Sequence, residues 1–111
     1  MTDIQPNIYG SSQPVANTWT LVTRLPEDTN GFLNVFISTQ TWLDRVRMVV
    51  KPADVEQADQ HYVLYDTPIR DGYPVQISNI GMEGNHEILV WSELGETSFN
   101  VTGVTLVNDP I

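Results

Sequence analysis

The stretch FLNVFISTQTWLDRVRMVV, residues 32–50, decides how the chain folds. Leu33, Val35 and Ile37 recur at every second position, and beyond Gln40 and Thr41 so do Val46, Met48 and Val50. A period of two places each set on one face of an extended strand, whereas a helix needs apolar residues three and four apart. Working outward, the alternation returns in Val75/Ile77, Ile88/Val90 and Phe99/Val101. Seven runs of this texture follow Thr18: 18–24, 32–39, 43–50, 61–66, 73–80, 86–92 and 97–107.

Turn residues lie between consecutive runs. Pro26 to Gly31, Arg70-Asp71-Gly72 and Gly81 to Asn85 read as hairpin-like connections. Pro52 to Gln60 differs: Pro52 suits a first helical position and helix formers follow it, which predicts one or two helical turns. Seven short strands with closely spaced turn signals predict an all-β fold, a single antiparallel β-sandwich of jelly-roll or immunoglobulin-like topology. The sandwich is expected over residues 18–111. Residues 1–17 look different, with two prolines, Gly10-Ser11-Ser12 and no periodicity. They read as an extended N-terminal arm, and its spaced apolar residues Ile4, Ile8, Tyr9 and Val15 are the expected partner contacts.

A chain of 111 residues suits one domain, and this length buries roughly 65% of the unfolded surface without any covalent staple. There is no cysteine, which excludes disulfides, thiolate metal sites and thiol catalysis. No apolar run approaches the ~20 residues that span a bilayer, and the N-terminus lacks the order of a signal peptide, so a soluble, unsecreted protein is expected. Fourteen acids against five bases give a net charge of −9, which disfavours direct contact with nucleic acid. The imbalance sits in the second half, where Arg70 is the one base after Lys51. That half is either a solvated acidic surface or a docking face for a basic partner.

Chemistry-bearing patterns are scarce. No Gly-x-Ser-x-Gly elbow occurs, and no phosphate-cradling glycine loop. His61 and His86 each begin a predicted strand, and two histidines without cysteine make a poor zinc site. Asp54, Glu56 and Asp59 lack the spacing of a calcium loop. Asn100-Val101-Thr102 matches a glycosylation acceptor but falls inside a predicted strand. No enzyme activity and no cofactor are expected. Among the tryptophans, Trp19 and Trp91 lie within strands as core or sheet-face residues, while Trp42 sits at a strand start or loop as a candidate partner contact.

The order of pieces from Trp19 to Val104 carries a resemblance. In sequence these are Trp19-Thr20-Leu21-Val22, Leu33 to Ser38, Asp44 to Val50 and Asp59 to Ile69. Ile80-Gly81-Met82, His86 to Ser92 and Val101-Thr102-Gly103-Val104 complete it. The chain resembles the small β-sandwich virion proteins of tailed bacteriophages, of the head-decoration or tail-accessory type. The resemblance implies a capsid decoration (cement) protein on the outer surface of the head. Its partner would be the major capsid protein or another virion protein. It would act as a homo-oligomer, a trimer included, with no nucleic acid or membrane contact. The alternative is a tail-fibre or baseplate module that binds a receptor or carbohydrate through Trp42, Tyr73 or Trp91.

Overall fold

A computed structural model describes the backbone of residues 2–108 and the side chains of residues 10–106. Eight strands are present: β1 (Thr2–Ser12), β2 (Thr20–Arg24), β3 (Thr29–Thr39), β4 (Leu43–Pro52), β5 (Tyr62–Arg70), β6 (Val75–Met82), β7 (His86–Ser92) and β8 (Thr97–Asn108). They form two antiparallel four-stranded sheets, β1-β8-β3-β6 and β2-β7-β4-β5. Every connection except β4–β5 crosses from one sheet to the other. Two interleaved Greek keys of this kind make a jelly roll, the first of the two expected topologies.

The decisive stretch behaves as its period demands. Along β3, buried and open positions alternate, and Leu33, Val35 and Ile37 are fully buried. They meet Val46 and Met48 of β4, Ile69, Ile88, Val90, Phe99 and Val101 in one cluster between the sheets. Burying each such side chain is worth about 1.5–3 kcal/mol, so this layer holds the two sheets together.

Three expectations change. First, there are eight strands, because Thr2–Ser12 of the expected arm pairs with β8 as an edge strand of the chain's own sheet. Pro6 is tolerated there because an edge strand leaves one row of N–H groups unused. Secondly, the three turns read as hairpins instead join strands of opposite sheets. Turn residues signal a reversal of direction but not which sheet receives the next strand. Thirdly, the helical turns expected at Pro52 to Gln60 shrink to one 3-10 turn, Asp59–His61. Pro52 ends β4, paired with His86, and this segment joins the single pair of consecutive strands that are sheet neighbours among the described residues. Lys51 fixes its backbone: the ammonium donates to the carbonyls of Pro52 and Val55 at 3.2 and 2.8 Å and to Glu87 at 2.8 Å.

The sheets differ sharply in charge. Strands β3, β6 and β8 contain no charged residue, and β1 contains only Asp3. All five bases lie on the other sheet: Arg24 on β2, Arg45, Arg47 and Lys51 on β4, and Arg70 on β5.

Candidate functional site

The connections β1–β2, β3–β4, β5–β6 and β7–β8 gather at one end of the sandwich. Gln13 Nε2 donates to Gly95 O at 3.1 Å, Asn17 N to Ser92 O at 2.8 Å and Gln40 N to Glu96 O at 3.0 Å. Each connection presents one large apolar side chain to solvent: Val15 (74% exposed), Trp42 (71%), Tyr73 (68%) and Leu94 (48%). The Arg70 guanidinium, at the end of β5, lies 4.2 Å from the Trp42 ring centroid and 5.6 Å from that of Tyr73. The two rings therefore share one cation, which holds them at this end without hiding them.

A buried carboxylate organises the loops beneath. Asp44, at the start of β4, is 1% exposed. It accepts hydrogen bonds from the hydroxyls of Ser92 and Thr97 (2.7 Å for Thr97) and from the backbone N–H of Leu94 at 3.0 Å. Ser92 Oγ in turn accepts from Gly95 N at 2.9 Å. One side chain thus ties the base of the β3–β4 connection to the whole β7–β8 connection. Burial pushes the Asp44 carboxyl up, but the bonds from Ser92, Thr97, Leu94 and Glu96 outweigh it and hold the group below the usual carboxylate range.

The outward face of β2-β7-β4-β5 continues the same chemistry. A bulge on β5 sets two residues, Tyr65 and Asp66, against Arg47 alone on β4. Asp66 adopts φ 50°, a conformation aspartate tolerates, and both residues then reach the guanidinium. Arg47 Nε donates to Asp66 Oδ1 at 2.6 Å, while the cation stacks 4.6 Å from the Tyr65 ring and 4.2 Å from that of Trp91. Trp91 is its register partner on β7. The Tyr62 ring meets Tyr65 edge-on at 4.8 Å and Trp19 at 6.0 Å. Val49, paired with Tyr62, is buried outside the central cluster, on this aromatic side of the sheet. Farther along, Glu87 accepts from Arg24 at 2.6 and 2.9 Å and from Lys51 at 2.8 Å. Burial raises the Glu87 carboxyl, and the two cations more than reverse that.

This arrangement stacks, pairs and hydrogen-bonds. Both imidazoles are held in turns, His61 Nδ1 accepting from Ala58 N at 2.9 Å and His86 Nδ1 from Glu83 N at 2.8 Å. No cluster of metal-ligating side chains occurs among the described residues. Asp59, Tyr62 and Tyr65 line an open pocket of about 320 Å³.

Of the five sequence-predicted contact residues, Val15 and Trp42 both lie exposed at the loop end, in different connections. Ile4 and Ile8 lie on β1 opposite Leu106 and Thr102, with Tyr9 at the bulge between Ile8 and Gly10, and the side chains of all three are outside the described residues. Sequence reasoning missed Arg47, Arg70, Tyr65 and Leu94. Arg70 had a signal, as the one base in an acidic half, but the Tyr65–Asp66 bulge has none in a periodic pattern.

No family model matches the chain, and no curated protein matches it. Among solved structures it is similar to the N-terminal CBM22-1–GH10 modules of Clostridium thermocellum endo-1,4-beta-D-xylanase 10B, complexed with xylohexaose. Identity is 9% and the TM-score 0.37, over 98% of this chain and 26% of that one, so the chain spans about a quarter of that chain's length.

Proposed function

We propose that this protein is a non-catalytic binding subunit that docks by the loop end and the adjoining aromatic face. Within that class we propose a virion accessory protein that decorates the outside of a phage head. One observation carries the docking site: Val15, Trp42, Tyr73 and Leu94, one from each of four connections, stand exposed at the same end of the sandwich, where Trp42 and Tyr73 share the Arg70 cation. Tryptophan, tyrosine and arginine dominate the energetics of protein interfaces, and here they are pre-positioned, so little ordering opposes binding. The ordered resemblance to small phage β-sandwich proteins supports the virion setting. Each copy needs only modest affinity, because associated copies on a repetitive shell bind with avidity. The test is immunogold electron microscopy with antibody to the purified protein on phage particles from the source culture. Gold spread over heads is expected. Label confined to tails refutes decoration in favour of a tail role, and unlabelled particles refute the virion reading.

A second reading has its own observation. The pocket between Tyr62, Tyr65 and Asp59 offers ring faces beside a carboxylate, a combination that suits a sugar. Glycan-array binding abolished by Tyr65→Ala and unaffected by Trp42→Ala would support carbohydrate recognition at that pocket.

A further inference from the structure

We infer that the charge-poor outer face of the β1-β8-β3-β6 sheet is the surface on which two copies of this chain pair. Charged residues make up 17% of the chain, yet β3, β6 and β8 contain none. The alternation that buries Leu33, Val35 and Ile37 turns Phe32, Asn34, Phe36 and Ser38 outward. Their register partners on β8 are Val104, Thr102, Asn100 and Ser98. Phe32 is 60% exposed, Phe36 41% and Val104 40%, so apolar patches at Phe32/Val104 and at Phe36 flank the polar pair Asn34/Thr102 among hydroxyls and amides. Charge depletion around exposed aromatics is the compositional mark of an interface centre.

Charge selects the occupant. Two copies each carrying −9 repel wherever their acids meet, and β3, β6 and β8 form a broad surface on which they approach without opposing like charges. A basic partner would find no carboxylate on β3, β6 or β8 to pair with. Size agrees: four strands ~4.8 Å apart, each rising ~3.3 Å per residue, present roughly 700 Å² per copy. Two such faces bury about 1,400 Å², inside the range of specific interfaces. A two-fold axis suits the face, because its patches at Phe32/Val104 and Phe36 can each pack against a patch of the image copy. This pairing is independent of the docking end, which projects from the ends of the strands.

Sedimentation equilibrium of the full chain tests the inference. A mass of about 25 kDa, twice the 12.5 kDa chain, is expected at roughly 100 µM. Added salt should leave the dimer unchanged or strengthen it, since it screens only repulsion. Phe36→Lys should give monomers. Thr102→Lys, a smaller change on the same face, should do the same with an unaltered circular dichroism spectrum. Trp42→Ala should leave the dimer intact. A wild-type monomer at that concentration overturns the inference, as does a dimer that salt dissociates. So does a dimer that survives both lysine variants, or one that Trp42→Ala dissolves.

Discussion

Replacing Asp44 by asparagine tests how the loop end is built. The side chain keeps its shape, and Oδ1 can still accept from Leu94 N. Oδ2, however, becomes an amide donor facing two hydroxyls that both donate to it in the native protein. Both must turn their protons away inside a site where Ser92 and Thr97 are 0% exposed. Hydrogen bonds to an ionised group contribute about 1.5–3 kcal/mol each, and the hydroxyls recover part of that by rotating, so the expected loss is about 2–3 kcal/mol. For a chain of this length that lowers Tm by roughly 8–12 °C. Near-ultraviolet circular dichroism, with three tryptophans as reporters, follows the melt at pH 7. Acidity gives a second arm. The folded carboxyl titrates below its unfolded value, so its stabilisation is complete above that value, near 4, and disappears as pH falls through the folded one. The gap between wild type and Asp44→Asn should therefore narrow below pH 4, while Glu87, common to both proteins, cancels. A loss under about 0.5 kcal/mol at pH 7, or a gap that stays constant into acid, would refute the reasoning.

Further outcomes follow from the same geometry. Glu87→Gln leaves the buried Lys51 ammonium without its counter-charge and should cost about 3–5 kcal/mol in urea denaturation, against under 1 kcal/mol for the surface change Glu56→Gln. Gly84→Ala drives a methyl into the Glu27 carbonyl oxygen and should cost about 2–4 kcal/mol; Gly72→Ala, at φ +82° with open space around it, should cost about 1 kcal/mol of backbone strain. Arg47→Ala removes the cation between Tyr65 and Trp91 and should lower stability by about 1–2 kcal/mol while changing tryptophan fluorescence. Trp42→Ala, with the ring 71% exposed, should shift stability by less than about 1 kcal/mol.

The strands are legible in the sequence because each has one dry and one wet face, and the period of two records that division directly. Leu33/Val35/Ile37 and Ile88/Val90 could hardly be read otherwise. Connectivity is less legible, since Pro26 to Gly31 looks the same whether the chain returns within a sheet or crosses to the other. β1 is hidden for a related reason: an edge strand gains its hydrogen bonds from one neighbour and can carry Pro6, so it lacks the pattern of an interior strand. The site is partly legible. Trp42 stands out as an aromatic residue between two strands, but its partners Arg70 and Tyr73 lie about thirty residues away and meet it only because β5 pairs with β4. Asp44 sits among ordinary alternating residues, and its role appears only when the β7–β8 connection folds over it.

The most direct test of the docking account is co-sedimentation of purified phage particles with wild-type protein and with a Trp42→Ala/Tyr73→Ala variant. The account predicts saturable binding by the wild type, and at least a hundredfold weaker binding by a variant that stays folded, which corresponds to about 2.7 kcal/mol for two interface anchors. Equal occupancy by the two proteins would contradict it, because the exposed rings around Arg70 would then contribute nothing to attachment.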